Sequence, residues 1–385
     1  MMNTYFQRKA MKKESTFFRK HGKQGYTLLT VRDSRPNTIQ KVTNKYIYVR
    51  SEKGNSDIRI PRSSLRRALA ILFYRRVSTL KQLIKINSFS SALAAMIKAI
   101  MVDICKVVLT KTGAVRLTIR GLRYFFSGLS KGKDDVRIVK ENGGHFVLLN
   151  YYTIRNDLSD SWKHNLQALG FNYKCVILDP GEKTLYDAMS KGREVKPINI
   201  EDYAEFVIRH SDIIHRYFTL DKIGDPVTTK QNSDYLEQVV GKKPIPIYHI
   251  QSPLSALQEI VDEGHDVIGI GGSALRSVSS QKREAAFQAI FDRFGEHANF
   301  HALGLGSIKY LLGYDWFSAD ASSWLNARIF GKLITMAGNV SVPKSMDTEH
   351  ALGFNVRLLA ALEERYSEMQ IDMSTYMPIL DGNPC

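Results

Sequence analysis

Residues 245–272 read IPIYHIQSPLSALQEIVDEGHDVIGIGG, and this stretch decides the expected fold. Two apolar runs, at 245–250 and 266–272, enclose a segment at 253–264 whose apolar residues recur at helical spacing. Apolar runs without polar alternation are typical of strands buried on both faces, as in parallel sheets covered by crossover helices. The stretch therefore predicts one strand–helix–strand unit with parallel strands.

The same alternation continues along the chain in both directions. Helical segments at 200–211 and 281–294 separate further strand runs at 146–152, 175–181, 216–225, 299–306 and 315–320, and another strand is expected within 333–342. Seven or eight such units in about 200 residues favour a (β/α)₈ TIM-like barrel over an open doubly wound sheet. No GxGxxG or GxxxxGK[ST] loop follows the first strand, which argues against a nucleotide-cofactor fold.

The charge of the 385 residues is unevenly distributed. Residues 1–140 hold 31 Lys and Arg against 7 Asp and Glu, whereas residues 141–385 hold 23 against 31. Self-repulsion of this size destabilises a fold unless counter-charge is near. We therefore favour nucleic acid as the partner, ahead of an anionic membrane and ahead of simple solubilisation.

These patterns predict three regions. Residues 1–24 are expected to form a basic flexible arm, 25–140 a basic nucleic-acid-binding domain of mixed α/β structure, and 141–385 the barrel with a C-terminal helix. A helix is expected from Pro61 to about Ile86, a second over 90–109, and a third over 122–129. The basic face of the first helix supplies the candidate phosphate contacts, Arg62, Arg66, Arg67, Arg75, Arg76 and Lys81.

Cysteine content and apolar run lengths exclude several classes of protein. The three cysteines are too few and too scattered for a disulfide framework or a Cys-rich zinc site. No uncharged stretch approaches the ~18 apolar residues of a membrane span, and the N-terminus lacks the apolar region of a secretory signal. We expect a soluble cytoplasmic protein without a membrane partner.

Four aspartates follow predicted strands: Asp179, Asp221, Asp225 and Asp320. In a barrel the chemistry lies at the carboxyl ends of the strands. A single strand-terminal aspartate is equally well a turn former or helix cap, but four that converge exceed what packing requires. Two carboxylates across a pocket support acid–base and nucleophilic chemistry at an acetal-like carbon, as in retaining glycosidases. Glycosyl transfer is the expected reaction.

The strand ends also resemble a known family. LDPG at 178–181, TLDKIGD at 219–225, PIPIYH at 244–249, IGIGG at 268–272, HALGLGS at 301–307 and WFSADASSW at 316–324 resemble, in order, those of the tRNA-guanine transglycosylase superfamily. The likeness is greatest to its DNA-acting branch, the DNA 7-deazaguanine transglycosylases of phages and bacterial modification clusters. It spans about residues 146–342 and does not include the basic N-terminal part.

The resemblance implies that a guanine in DNA is exchanged for a 7-deazaguanine without backbone cleavage. Asp320 is then the nucleophile that attacks C1′, and Asp179 is the general acid and base. Asp221 reads the N1–H and 2-amino edge of the purine. The remaining implied base-site residues are His249 on the base, the backbone of Gly271 and Gly272 at its carbonyl face, Asp225 in support, and His301, Gly304 and Gly306 at the next strand end.

The resemblance also implies the partners. These are double-stranded DNA with a flipped guanine and a free 7-deazaguanine base such as 7-cyano-7-deazaguanine (preQ0). No cofactor is expected, and a homodimer is a candidate assembly. Residues 341–385 contain only Cys385 and His350, so the zinc site of the tRNA-acting enzymes is not expected. Ser322, Ser323 and Trp324 match the DNA-acting branch, although Trp324 is more simply a core residue. A phage-encoded protein would act in the host cytoplasm.

Other functions remain open at this point. A DNA glycosylase or N-glycoside hydrolase on the same barrel would use water in place of the deazaguanine. A tRNA-guanine transglycosylase is a second alternative, and a non-catalytic nucleic-acid-binding protein with a degenerate barrel is a third. A phosphate-binding metabolic barrel that uses IGIGG as its phosphate loop ranks last, because it leaves the basic half unexplained.

Overall fold

The computed structural model describes residues 4–22, 25–52, 54–75, 77–102, 105–109, 114–119, 122–129, 133–171, 175–222, 225–265, 267–275, 278–295 and 298–364. The chain forms two compact units, Met1–Arg120 and Gly121–Cys385. In the described part of the chain, no helix has the length and apolar character needed to cross a membrane.

The first unit contains an antiparallel four-stranded sheet. Its strands are adjacent in chain order: β1 (Tyr26–Leu29), β2 (Pro36–Val42), β3 (Tyr46–Ser51) and β4 (Ile58–Pro61). Ile39, Ile47 and Val49 alternate with more exposed residues and are fully buried, so one face of the sheet forms the core. The mixed α/β character expected of this region is confirmed.

A helix precedes this sheet, and a second sheet with three further helices follows it. The helices are α1 (Thr4–His21), α2 (Arg62–Arg75), α3 (Leu80–Ile84) and α4 (Ser90–Ile100). The second sheet is antiparallel in the order β5-β7-β6, with β5 (Val77–Thr79), β6 (Cys105–Leu109) and β7 (Val115–Ile119). Both long helices expected here end early, since β5 and β6 each pair with β7 and tertiary pairing overrides the helical pattern.

The N-terminal segment is not the flexible arm expected from its basic composition. Residues 4–21 form α1, which packs against α2. Phe6, Ala10 and Glu14 are fully buried and follow one another at four-residue spacing, so α1 has one buried face. The many lysines and arginines around these positions obscure that face in the sequence. The Glu14 carboxylate is the buried acceptor for the guanidinium groups of Arg62 and Arg66.

The second unit is a closed barrel of eight parallel strands. They are β8 (Arg123–Phe126), β9 (Val147–Asn150), β10 (Val176–Asp179), β11 (Arg216–Tyr217), β12 (Ile247–His249), β13 (Ile268–Gly271), β14 (Phe300–Ala302) and β15 (Ser318–Ala321). Neighbours pair in parallel in the order β11-β10-β9-β8-β15-β14-β13-β12. A parallel bridge between Phe218 and Ile245 joins β11 to β12 and closes the ring. The (β/α)₈ prediction is confirmed.

One barrel strand was assigned to the wrong segment. The first barrel strand in chain order is β8, Arg123–Phe126, which lies inside the 122–129 segment predicted as a helix. It pairs with β9 on one side and with β15 on the other. The expected strand within 333–342 is instead an antiparallel hairpin outside the barrel, β16 (Lys332–Thr335) and β17 (Gly338–Ser341). All four residues of β8 are buried, and so short an apolar run has no period that distinguishes strand from helix. The barrel unit therefore begins at residue 121, not 141.

Helices complete the barrel unit. They are α5 (Lys133–Glu141), α6 (Tyr151–Ile154), α7 (Ser161–Ala168), α8 (Glu182–Met189), α9 (Ile200–Arg209), α10 (Pro226–Val240), α11 (Leu254–Asp262), α12 (Ser280–Phe294), α13 (Ile308–Gly313), α14 (Asn326–Phe330) and α15 (Thr348–Ala361), with short 3₁₀ turns at Ser323–Leu325 and Leu362–Glu364. The turn after α15 lies against the start of β8, where the Leu122 N–H donates to Leu362 and Arg123 pairs with the buried Glu363. This packing covers the amino end of β8.

Candidate active site

A cleft of about 600 Å³ opens at the carboxyl ends of the barrel strands. This volume lies within the usual range for small-molecule sites. Every strand or its following loop contributes to the lining, including Ser127, Asn150, Asp179, Asp221, His249, Gly271, Gly272, Gly304, Gly306 and Asp320. The topology places the site where barrel enzymes keep their chemistry.

Asp320 lies at an inward position of β15 and is 6% exposed. One of its carboxylate oxygens accepts hydrogen bonds from the Gly304 N–H at 3.0 Å and from His301 Nε2 at 3.2 Å. Because a carboxylate only accepts, the His301 proton must lie on Nε2. In the neutral tautomer with its proton on Nε2, His301 Nδ1 accepts from the Ser318 hydroxyl, 2.8 Å away. Asp320 is therefore held in a fixed orientation by two donors.

Asp179 ends β10 on the same cleft. Burial raises the pKa of its carboxyl well above the usual range, and the negative charges of Asp320 and Asp221 raise it further. Its Oδ1 accepts the Gly181 N–H at 2.8 Å, which opposes the rise. Gly181 has φ +97°, and a Cβ there would lie 2.5 Å from the Asn150 side chain, so the Asp-Pro-Gly turn requires glycine. These surroundings favour the protonated form of Asp179.

Asp221 and His249 form a pair in the same cleft, with His249 Nε2 2.8 Å from Asp221 Oδ2. The Nδ1 atom of His249 is buried and has no hydrogen-bond partner among the described residues. A Cβ at Gly271 would lie 3.1 Å from the His249 ring, and one at Gly272 would collide with Gln251. The two glycines therefore leave room for the His249 and Gln251 side chains.

Three residues that the sequence analysis considered for the base site do not line the cleft. Asp225 does not line the cleft, because it caps α10 by accepting the Thr228 N–H at 3.0 Å and the Thr228 hydroxyl at 2.6 Å. His301 lies beneath Asp320 and outside the lining of the cleft. Trp324 is fully buried and donates to the Ser127 carbonyl, so it is a core residue.

Glu182 is a cleft residue that the sequence reasoning missed. It is the first residue of α8, directly after the Asp-Pro-Gly turn. Burial and the charge of Asp221 raise the pKa of its carboxyl to about 7. Its position next to the strand-end aspartate was the available signal, but a glutamate in the first turn of a helix is ordinarily explained by the helix dipole.

Replacing Glu182 with glutamine should change how stability depends on pH. The folded-state pKa is raised, so ionisation of Glu182 lowers wild-type stability as the pH rises from about 4.5 to about 7. Between these pH values the glutamine variant should gain about 1 to 2 kcal/mol relative to wild type, after allowance for partial solvent contact. Urea unfolding at pH 4.5 and 7.5 measures this gain. The matched change Glu201→Gln, in the first turn of α9, should show no such trend; equal trends would contradict the assignment.

The candidate phosphate contacts in the first unit are not equivalent. Arg62 and Arg66 are engaged by the buried Glu14, which orients them toward the protein interior. Arg67 and Lys81 are exposed. Arg76 and the side chain of Arg75 lie outside the described residues.

Fold and site together define an α/β-barrel protein with an acidic cleft, joined to a basic α/β unit. No family model matches the chain, and no curated protein matches it. Among solved structures, a ligand-free form of tryptophan synthase from M. tuberculosis is similar to 64% of this chain and 94% of its own, at 12% identity and a TM-score of 0.38. Within the described residues, no group of three His, Cys, Asp or Glu side chains could hold a metal ion.

Proposed function

We propose that this protein is a base-exchanging pentosyltransferase that replaces guanine in DNA with a free 7-deazaguanine. The observation that carries the proposal is that three carboxyl groups in one cleft have different hydrogen-bond partners and different electrostatic surroundings. Asp320 accepts hydrogen bonds from two donors, burial and neighbouring charge raise the pKa of Asp179, and Asp221 lies within hydrogen-bond distance of His249. Carboxyl groups whose pKa values are set apart by their surroundings are typical of active sites in which one acts as the acid and base and another as the nucleophile.

The first half-reaction uses Asp320 and Asp179. An Asp320 oxygen attacks C1′ of the deoxyguanosine and forms a glycosyl ester while the C1′–N9 bond breaks. The electron pair of that bond passes to the purine, and the Asp179 proton neutralises the departing base. The backbone of the DNA is untouched, and guanine leaves as the neutral base.

The second half-reaction reverses these roles. The Asp179 carboxylate takes the N9 proton of the incoming deazaguanine, and N9 then attacks C1′. The ester bond to Asp320 breaks and its electron pair returns to the carboxylate. Both carboxyl groups end in their starting states, so neither water nor an added cofactor is consumed.

Asp221 is the proposed recognition group. Its Oδ2 lies 2.8 Å from His249 Nε2, and because each carboxylate oxygen has two lone pairs, Oδ2 as well as Oδ1 can accept from the purine. A guanine offers two adjacent donors, N1–H and the 2-amino group, and an ionised carboxylate accepts from both. Gly271 and Gly272 also line the cleft, and their backbone is proposed to face the carbonyl side of the same base.

The proposed polymer partner is double-stranded DNA. A base in a duplex must be flipped out of the stack before C1′ can be attacked, at a cost of a few kcal/mol. An acidic cleft repels phosphate, whereas residues 1–120 carry 26 Lys and Arg against 5 Asp and Glu. Phosphate contacts by that unit would offset both costs. This charge difference supports DNA binding by the first unit.

Mass spectrometry of nucleosides tests the proposal. Duplex DNA incubated with the protein and 7-cyano-7-deazaguanine should yield the corresponding deoxynucleoside, with an equal amount of guanine released and the strand intact. Abasic sites in its place would indicate a hydrolase. Modification of tRNA but not of DNA would indicate the tRNA-acting reaction.

His301 should act as a positioning residue for Asp320. In His301→Phe, which keeps an aromatic ring beside Phe125 and Phe218, kcat should fall about 10- to 100-fold because one hydrogen bond to a charged group is lost. KM for the deazaguanine and DNA affinity should change less than twofold. His301→Gln retains a donor and should recover part of kcat. A rise in KM with unchanged kcat would contradict this role.

A further inference from the structure

A second cavity lies in the first unit, remote in sequence from every barrel residue discussed above. Its volume is about 340 Å³. It is bounded by the start of β2, the end of β3 and the amino end of α4, and its lining includes Asp33, Arg35, Asn37, Glu52 and residues 90–92. The reaction proposed for the barrel uses none of these residues.

Unpaired backbone donors face this cavity. The helix α4 has 11 residues, and the residue before it, Phe89, provides no side-chain cap. Within the described chain, no group accepts a hydrogen bond from the N–H groups of Ser90, Ser91 or Ala92. Three free donors and the positive end of the helix dipole favour an anion at this point.

Asn37 is an independent observation on another element. It lies on β2, on the same face as the buried Ile39, and is 6% exposed. Its carboxamide makes no hydrogen bond to any residue that the structure describes, although it lines the cavity. The Ser90 hydroxyl, on a residue 8% exposed, is likewise unpaired within that part of the chain. Both residues are more than nine-tenths buried and line the cavity, so their unpaired polar atoms are available to a ligand that hydrogen-bonds to them there.

The charges around the cavity restrict what that ligand can be. Arg35 is exposed and pairs with Asp33 at 2.7 Å, while Glu52 is exposed at the rim. The two carboxylates oppose a highly charged anion, but the unit as a whole is strongly basic. A group with one or two negative charges and several acceptor oxygens fits this surrounding best, because the lining is rich in donors.

The geometry points to a phosphate-binding site at the amino end of α4. The N–H groups of residues 90–92, the Asn37 amide and the Arg35 guanidinium hold the oxygens of one phosphate group. That group belongs either to a nucleic-acid backbone or to a free phosphate compound, and the site is independent of the reaction in the barrel.

A pair of matched variants of the full-length protein tests this site. Asn37→Asp places a carboxylate in the cavity, whereas Asn44→Asp adds the same charge in the exposed turn between β2 and β3. Affinity is measured for a fluorescein-labelled 20-bp duplex by anisotropy and for inorganic phosphate by calorimetry. Asn37→Asp should weaken binding of at least one probe about tenfold, and Asn44→Asp less than twofold. Equal effects of the two variants on both probes would overturn the proposal.

A second pair covers the case in which Asn37→Asp fails to fold. Arg35→Gln removes a cation that lines the cavity, and Arg32→Gln removes an exposed cation three residues away that does not. Arg35→Gln should weaken phosphate or duplex binding at least threefold more than Arg32→Gln. An effect on inorganic phosphate identifies a free phosphate group, and an effect on the duplex alone identifies a backbone phosphate. Identical losses in both variants would refute the site.

Discussion

Replacing Asp320 with asparagine should abolish base exchange, with a loss on the order of 10⁴-fold or more in kcat. The asparagine keeps the volume of the side chain and still accepts from Gly304 and His301, so the cleft should keep its shape. It cannot form the glycosyl ester, because an amide oxygen is a poor nucleophile toward C1′. DNA affinity should be unchanged, since the proposed phosphate contacts lie in the other unit.

Trapping of the proposed covalent intermediate measures this effect. With a labelled guanine oligonucleotide and no incoming base, wild-type protein should form an adduct that survives a denaturing gel, and the Asp320→Asn variant should form none. Asp225→Asn is the matched control, because it makes the same change at another strand-end aspartate that caps α10 outside the cleft. An adduct in Asp320→Asn, or its loss in Asp225→Asn, would contradict the assignment of the nucleophile.

The second large effect is expected for Asp179→Asn. Loss of the proton donor should lower kcat about 10²- to 10⁴-fold, the usual contribution of general acid–base catalysis. In the proposed reaction the protonated form of Asp179 assists departure of guanine, so activity should fall as the pH rises through its raised pKa. That limb of the pH–rate profile should be missing in the variant. A variant that keeps the same limb would show that another group supplies the proton.

The same substitution should increase stability at neutral and alkaline pH. The raised pKa of Asp179 means that the folded state binds its proton more tightly than the unfolded state does. Wild-type stability contributed by this group is therefore greatest below the unfolded pKa and falls as the pH rises toward the folded pKa. Asp179→Asn removes this penalty and can still accept the Gly181 N–H.

Thermal unfolding checks this second consequence. At pH 8 the Asp179→Asn variant should have a Tm about 2 °C above wild type, the shift that about 1 kcal/mol produces in a unit as long as Gly121–Cys385. The difference should shrink as the pH approaches 4. A catalytic carboxyl that is strained by its neighbours behaves in this way, whereas a purely structural aspartate would lower Tm when replaced.

The barrel itself was accessible from the sequence because its signal is periodic and repeated. Apolar runs such as 175–181 and 266–272, separated by helical segments, define parallel strands without any tertiary information. β8 was missed because its four residues are too few to show a period. The helix α1 was missed because a dense set of lysines and arginines hides the buried positions Phe6, Ala10 and Glu14.

The sequence alone determined which residue types follow the strands, and therefore that Asp179, Asp221 and Asp320 meet at one end of the barrel. Only the tertiary structure decided their surroundings: the two donors on Asp320, the burial and neighbouring charges of Asp179, and the removal of Asp225 to a helix cap. The physical reason is that strand order follows from local hydrophobic patterns, whereas hydrogen bonds and electrostatic fields depend on distances between residues far apart in the chain.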